Sequence, residues 1–108
     1  MNYLNFVDYL INPEKLESLY KKLQVNEESE ALIVYLKDSL DLTSEISIFG
    51  IEETDGDLVF KKDGTKYIEL FPIDYAVDLI ESDLDLKDRG YSNEYIAKRL
   101  LEYRVNDA

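Results

Sequence analysis

The first apolar pattern along the chain has helical spacing. In residues 2–11 the apolar positions at steps of three and four are Leu4, Val7, Leu10 and Ile11. This spacing predicts a short amphipathic helix. Asn12-Pro13 then places a capping residue before a proline, which is the usual start of a second helix. The apolar face predicted for that helix comprises Leu16, Leu19, Tyr20 and Leu23.

Residues 25–42 fit two different elements. Asn26 can cap a helix whose first turn carries Glu27 and Glu28, where negative charge is favourable. The unbroken apolar run from residue 32 to residue 36 fits a buried strand equally well. Because the segment is long, we expect a helix.

After Glu45 the apolar residues recur with a period of 2, which is typical of a strand, and no longer with the helical period of 3.6. Ile46 and Ile48 alternate with polar residues, and turn signals at residues 54–57 and 62–65 separate the apolar runs that follow. This pattern predicts a three-stranded antiparallel meander.

Two helices are expected after the sheet. Pro72 opens the first and Gly90 closes it, and its apolar face comprises Ile73, Ala76, Val77, Ile80 and Leu84. Ser92 caps the second, whose expected buried positions are Ile96, Leu100 and Val105, with Tyr103 nearby. No repeat or linker interrupts the chain. Residues 1–108 are therefore predicted to form a single α+β domain of N-terminal helices, the three-stranded meander and two C-terminal helices.

The composition is that of a globular domain with a large negative charge. Hydrophobic residues make up 45% of the 108 residues, and the formal net charge is −12 with no histidine. Such a charge repels nucleic acid and anionic membrane surfaces and attracts basic proteins or cations.

The residue types exclude several kinds of catalysis. Without histidine or cysteine, Ser–His and Cys–His nucleophile systems and thiolate metal sites are impossible. The four glycines are scattered singly, so there is no phosphate-binding loop. Residues 83–90 begin like a calcium-binding loop, but Lys87 occupies the third ligand position and the glycine comes two residues late. We expect no enzymatic activity, no cofactor and no metal site.

The first C-terminal helix carries a row of carboxylates. This acidic row consists of Asp74, Asp78, Glu81 and Asp85, at steps of four, three and four. Neighbours at this spacing repel each other by a few tenths of a kcal/mol per pair. The only base in residues 69–88 is Lys87. A solvated face of an acidic protein would account for the row. Our prediction is that these acids, with Tyr75, contact a basic partner.

The chain has two acidic blocks: residues 69–88, which include the acidic row, hold seven acids and one base, and residues 26–57 hold ten acids and one base. The second block also contributes to the prediction. Its predicted partner-binding residues are Glu52, Glu53, Asp55 and Asp57. If the fold joins the two blocks, they form one negative surface. Nine tyrosines add the stiff, amphipathic contact area that is enriched in interfaces. Carboxylates and tyrosines together suit a groove rich in arginine and lysine.

The chain is predicted to be cytoplasmic. It has no cysteine, its apolar start lacks a basic leader, and no stretch approaches the roughly 18 apolar residues of a membrane span. We expect neither a membrane nor nucleic acid as its partner.

The whole chain resembles the immunity proteins of bacterial toxin systems. The resemblance is of class and lies in small size, absence of cysteine, strong acidity and abundant tyrosine. The segment SNEYIAKRLLEYRVNDA, residues 92–108, also resembles the closing helix of such small proteins. The class includes partners of nuclease bacteriocins and of contact-dependent growth-inhibition toxins. The resemblance implies one-to-one capture of a cognate basic toxin domain, in which acids occupy the site meant for phosphates.

Two other functions fit the same pattern. A phage-encoded nucleic-acid mimic would use the same acids against a host nuclease. An adaptor subunit would dock through tyrosine and leucine, and its binding would persist at high salt.

Overall fold

A computed structural model describes residues 1–106 and shows an α+β fold. These residues form a four-stranded antiparallel sheet in the order β2-β1-β4-β3. The strands are β1 (Leu32–Lys37), β2 (Ile46–Gly50), β3 (Val59–Lys62) and β4 (Thr65–Pro72). The helices are α1 (Tyr3–Ile11), α2 (Leu16–Leu23), α3 (Ile51–Thr54), α4 (Ile73–Asp78) and α5 (Asn93–Asn106). A 3₁₀ turn (Pro13–Lys15) precedes α2, and a π-helical turn (Leu79–Asp83) follows α4.

The first two helices form at the predicted places, but their apolar faces differ from the prediction, because Leu4 and Ile11 are only half-buried and Leu23 is 42% exposed. The predicted cap Asn12 makes no side-chain capping bond. The Asn2 side chain accepts a hydrogen bond from the backbone N–H of Asn5 (2.9 Å) and so caps α1. The buried face of α1 comprises Tyr3, Phe6, Val7 and Leu10, at helical spacing. Pro13 opens the second helix through its 3₁₀ turn, and Gln24 ends it in the left-handed conformation with φ of 57°.

The helix expected in residues 25–42 is wrong, because residues 32–37 form β1 at the centre of the sheet. Helices cover one face of this strand and an aromatic cluster covers the other, so its four central residues, Ile33, Val34, Tyr35 and Leu36, are all buried. A strand buried on both faces shows no alternation of apolar and polar residues. Its sequence therefore does not distinguish it from a buried helix.

The predicted meander is also wrong, because β1 lies between β2 and β4. Only β3 and β4 form the expected hairpin, which turns through Asp63 and Gly64 with φ of 52° and 81°. The pairing of β1 with β4 shifts register between Val34 and Tyr35, since Phe71 and then Glu69 lie opposite them. This bulge leaves Leu70 as the extra residue, and both Leu70 and Phe71 are buried in the main core.

The helix predicted to open at Pro72 and close at Gly90 begins at Ile73, changes pitch after Asp78 and ends at Asp83, so Gly90 does not close it. The backbone N–H of Leu84 donates to the carbonyl of Leu79 (2.8 Å), a five-residue step typical of a π turn. The extra residue lets both Leu79 and Ile80 enter the core. Leu79 and Leu86 are buried, whereas Val77 and Leu84, which were predicted for the apolar face, are only half-buried.

The last helix, α5, packs against α1. The hydroxyl of Tyr3 donates to the carbonyl of Ala97 (3.0 Å) in the buried contact between them. Ser92 caps α5 as predicted, through a bond from the Tyr95 N–H to its Oγ (3.1 Å). Ile96 and Leu100 are buried, but Val105 is 66% exposed, so its predicted burial is wrong. Within residues 1–106 no helix combines the length and apolar character required to cross a bilayer.

The face of the sheet away from α1 and α5 carries an aromatic cluster. Phe49 meets Tyr35, Phe60 and Tyr67 edge-on, with ring centroids 5.2–5.6 Å apart. The Tyr35 hydroxyl donates to the carbonyl of Asp57 (2.7 Å). The cluster gives β1 its second buried face and holds the loop after α3 against the sheet.

Gly50 has no room for a side chain. A Cβ added there would lie 2.5 Å from Ser29 Oγ and 2.9 Å from Ser29 Cβ. We expect Gly50→Ala to destabilise the fold by about 1–3 kcal/mol through overpacking, measured by urea unfolding.

Ser29→Gly provides the matched control. If the clash with Ser29 is the cause, Gly50→Ala costs less stability in the Ser29→Gly background than alone. Equal costs in both backgrounds, or no cost at all, would contradict this packing.

Candidate functional site

The acidic blocks meet where β1 begins. At this end of the sheet, Leu32 pairs with Gly50 at the end of β2, and Ile33 pairs with Pro72 at the end of β4. α3 starts directly after Gly50 and α4 directly after Pro72. The segment leading into β1, residues 26–31, lies between these two helix starts. Acids far apart in sequence are therefore close in space.

A cleft of about 200 Å³ opens between α2, residues 27–32 and the start of α4. This acidic cleft is lined by Tyr20, Glu27, Ser29, Glu30, Ala31, Leu32, Ile73 and Asp74. Its three carboxylates belong to Glu27, Glu30 and Asp74, and all three residues are exposed. No lysine or arginine among residues 1–106 forms an ion pair with them. The cleft thus concentrates negative charge that the described chain does not neutralise.

The surroundings of the cleft raise the pKa of Tyr20. Burial, together with the negative charges of Asp74 and Glu27, raises the pKa of Tyr20 to about 12. Burial makes the largest contribution, and the carboxylates add to it because a phenolate beside them would be repelled. The phenol stays protonated at neutral pH, so the cleft offers a hydroxyl donor beside its carboxylate acceptors.

Glu52 has a structural role beside the cleft. Its carboxylate accepts hydrogen bonds from Ser29 Oγ (2.5 Å) and from the backbone N–H of Glu30 (3.0 Å). The Ser29 bond, followed by the backbone bond from Glu30, lowers the pKa of Glu52 below its usual value. These contacts fix the segment that carries Glu30 and Ser29. Glu52, which was predicted to bind the partner, therefore holds in place the segment that lines one side of the cleft.

The acidic row does not form the single helix face expected from its spacing. Asp74 and Asp78 lie on α4, whereas Glu81 follows the change of pitch and Asp85 lies beyond the helix, with φ of 49°. All four side chains are exposed. Only Asp74 lines the acidic cleft.

Two members of the acidic row form ion pairs with basic residues of the loop that follows the π turn. Lys87 Nζ lies 3.3 Å from Glu81 Oε1, and Arg89 forms an ion pair with Asp85. The hydrogen bond and charge of Asp85 raise the pKa of Arg89. Exposed pairs of this kind contribute little to stability, but each offsets one negative charge. This half of the row is therefore less available to a partner than Asp74.

The remaining predicted residues lie around α3. Glu53 approaches Lys62 at 4.0 Å, and Asp57 contributes its carbonyl to the Tyr35 bond. Asp55 ends α3 in the left-handed conformation, with φ of 53°. The side chains of Glu53, Asp55 and Asp57 are exposed. None of them lines the acidic cleft.

Comparison with known proteins identifies no relative, so the function has to be inferred from the site itself. No family model matches the chain, and neither a curated protein nor a solved structure is significantly similar to it. In the part of the chain described, the acidic side chains form no group of three or more arranged to hold a metal ion.

A second group of aromatic rings, separate from the aromatic cluster on the sheet, lies beside the acidic row on α4. Tyr75 is 42% exposed, and its hydroxyl lies 3.1 Å from that of Tyr103 on α5. Phe71 lies beneath both rings, at centroid distances of 5.7 Å and 6.3 Å. The structure thus fixes the orientation of Tyr75 and presents it at the surface, next in sequence to Asp74.

Sequence reasoning missed Tyr20, Glu27 and Glu30 as site residues. Tyr20 was assigned to the apolar face of α2, and Glu27 was treated as part of a helix start. The relevant signal was the alternative interpretation of residues 32–36 as a buried strand. A central strand would have placed the acids preceding it beside the ends of its two neighbours.

Three lysines lie at the other end of β1, together with Asp38 and Asp63. Lys37 ends this strand, and Asp38 N–H donates to the carbonyl of Lys66 (2.9 Å). Lys61 lies directly opposite Lys66 in the β3–β4 hairpin. β1 therefore runs from the acidic cleft to a group of lysines, and the six residues of the strand separate them by about 20 Å.

Tyr20 reports on the cleft directly. We expect its phenol to titrate near pH 12, observed by NMR at the ring Cζ, and Asp74→Asn to lower its pKa by removing one repelling charge. Burial remains in the variant, so the pKa stays above the ordinary value of about 10.

The same shift affects stability at high pH. The unfolded chain ionises Tyr20 near pH 10 while the folded chain resists until about pH 12, so the free energy of unfolding falls across that interval. Tyr20→Phe should show a smaller fall. Titration of Tyr20 at its ordinary pKa, unaffected by Asp74→Asn, would contradict the geometry of the cleft.

Proposed function

We propose that the protein is a non-enzymatic inhibitor of the immunity-protein type, which binds one basic protein domain through its acidic cleft. The observation that carries the proposal is the convergence of Glu27, Glu30 and Asp74, from both acidic blocks, without a paired cation in the described chain. A charged surface that serves only hydration gains nothing from concentrating like charges in a cleft. A cationic side chain of a partner would relieve their repulsion.

The chemistry of the cleft suits a nuclease-type toxin domain as the partner. Such a domain lines its substrate groove with lysine and arginine to bind phosphates. A guanidinium entering the cleft would meet carboxylates able to accept paired, charge-assisted hydrogen bonds. Tyr75, whose ring is held by Phe71 and Tyr103, adds a rigid face for a second cation.

Two structural features support fast and specific binding. Glu52 holds the loop of Ser29 and Glu30 in place, so that part of the cleft does not have to be ordered on association. The negative charge of the acidic cleft attracts a basic surface and raises the association rate at low salt. A fast association rate matters for an inhibitor that must reach its target before the target acts.

We place this function in the cytoplasm, where a cysteine-free chain suits the reducing conditions. The proposal includes neither a nucleic-acid nor a membrane partner, because phosphate groups would meet the same negative field.

Affinity capture tests the class of partner. The immobilised protein is exposed to a lysate of the native strain at low salt and eluted with a salt gradient. We expect one basic protein in one-to-one stoichiometry, released as salt rises. Recovery of no basic protein, or binding that is indifferent to salt, would overturn the proposal.

Charge reversal tests the cleft. We expect Glu27→Lys/Asp74→Lys to lower the association rate with the captured partner by about tenfold to 100-fold at low salt, because steering and cleft contacts are both lost. The matched control is Glu14→Lys/Asp41→Lys, which alters net charge equally at exposed positions outside the cleft.

The paired half of the acidic row gives a further comparison. Glu81→Lys/Asp85→Lys should slow association less than the cleft variant, since Lys87 and Arg89 already offset these charges. An equal loss from all three double variants would mean that net charge alone, and not the cleft, governs binding.

A further inference from the structure

The two edges of the sheet differ in how they are protected. β3 forms one edge and carries Lys61 and Lys62, and charged side chains of this kind discourage pairing with another strand. β2 forms the other edge and reads ISIFG, with no charged residue. An uncharged, apolar edge strand is a ready site for an additional strand.

Part of the β2 edge is already paired within the chain. The Ile46 N–H donates to the carbonyl of Met1 (3.0 Å), and the Tyr3 N–H donates to the carbonyl of Ser44 (2.8 Å). Residues 1–3 thus pair in antiparallel fashion with the start of β2, around a bridge between Asn2 and Glu45. The N-terminal ammonium of Met1 donates to the Glu45 carboxylate (2.9 Å) beside this pairing.

The next outward-facing position is Ile48. The Lys37 N–H donates to Glu45 O and the Ile51 N–H donates to Ala31 O, both at 2.9 Å. In this register the backbone N–H and C=O groups of the odd-numbered residues of β2 point toward β1. The backbone N–H and C=O groups of the even-numbered residues therefore point outward, away from β1. Among residues 1–106, the N–H and C=O of Ile48 have no hydrogen-bond partner.

An apolar groove runs along this free edge. It has a volume of about 200 Å³ and is lined by Leu23, Val25, Ile46, Ser47, Ile48 and Phe49. Leu23 is 42% exposed although it is a large hydrophobic residue. The groove provides space for apolar side chains directly beside the free backbone groups of the strand.

The groove and the acidic cleft are both bordered by the end of α2 and the residues just after it. The Val25 N–H donates to the carbonyl of Tyr20 (2.9 Å), so a residue lining the groove is bonded to a residue lining the cleft. An apolar centre beside charged groups is the usual arrangement of a protein interface.

We propose that the β2 edge receives an extended, apolar segment of the same basic partner, which adds a strand to the sheet while a neighbouring cation enters the acidic cleft. This inference rests on the proposed function for the identity of the partner. An extended chain is the occupant because its alternating N–H and C=O groups match those of Ile48. A second copy is disfavoured, since each copy carries a charge of −12 and the free edge is too short for the roughly 1,000 Å² of a stable interface.

A neutral peptide tests the edge without involving charge. The probe is acetyl-Thr-Val-Thr-Val-Thr-Val-amide, with an analogue methylated on alternate backbone nitrogens as its control. With the parent peptide at millimolar concentration, we expect exchange of the Ile48 amide hydrogen to slow at least tenfold, as followed by NMR. The Val59 and Lys61 amides on the β3 edge should be unaffected, and the methylated analogue should give no protection.

Two variants separate this inference from the proposed function. Leu23→Lys, at an exposed position, should abolish the protection by placing a charge in the groove. Glu27→Lys/Asp74→Lys should leave it intact, because the peptide is neutral. Unchanged exchange at Ile48 with the parent peptide, or equal protection of the β3 edge, would overturn the added strand while leaving the cleft proposal standing.

Discussion

The structure depends on burying β1 on both faces. Val34 and Leu36 face the core shared with α1, α4 and α5, while Ile33 and Tyr35 face the aromatic cluster around Phe49. β2 and β4 pair with its two edges, so this strand is central and the simple meander does not form. The bulge at Leu70 and the π turn after Asp78 both adjust neighbouring segments to the same core.

The position of β1 also determines where charge collects. Its start lies beside the ends of β2 and β4, so residues 26–31 and the start of α4 meet there. Glu27, Glu30 and Asp74 line the cleft that results, and Glu52 fixes the adjoining loop from the other side of the strand. The acidic cleft and the apolar groove then share the segment between Tyr20 and Val25.

Local signals predicted the elements whose pattern is local. Capping by Ser92, the Asp63-Gly64 hairpin and the helix α1 could be predicted because each depends on residues close in sequence. β1 could not be distinguished from a helix because its alternation is hidden by burial on both faces. The cleft was missed for the same reason, since Glu27 and Asp74 approach only through the pairing of β1 with β4. The charge imbalance was visible in the sequence, but the neutralisation of Glu81 and Asp85 by Lys87 and Arg89 depends on the loop after the π turn.

The most direct measurement is NMR shift mapping of the protein in complex with the basic partner that it captures. We expect the largest changes to cluster at Tyr20, Glu27, Glu30 and Asp74, with a second group at Leu23, Val25 and Ile48. Changes centred instead on the lysines at the far end of β1, or on residues 78–89 alone, would contradict the claim that the cleft at the start of β1 is the binding site.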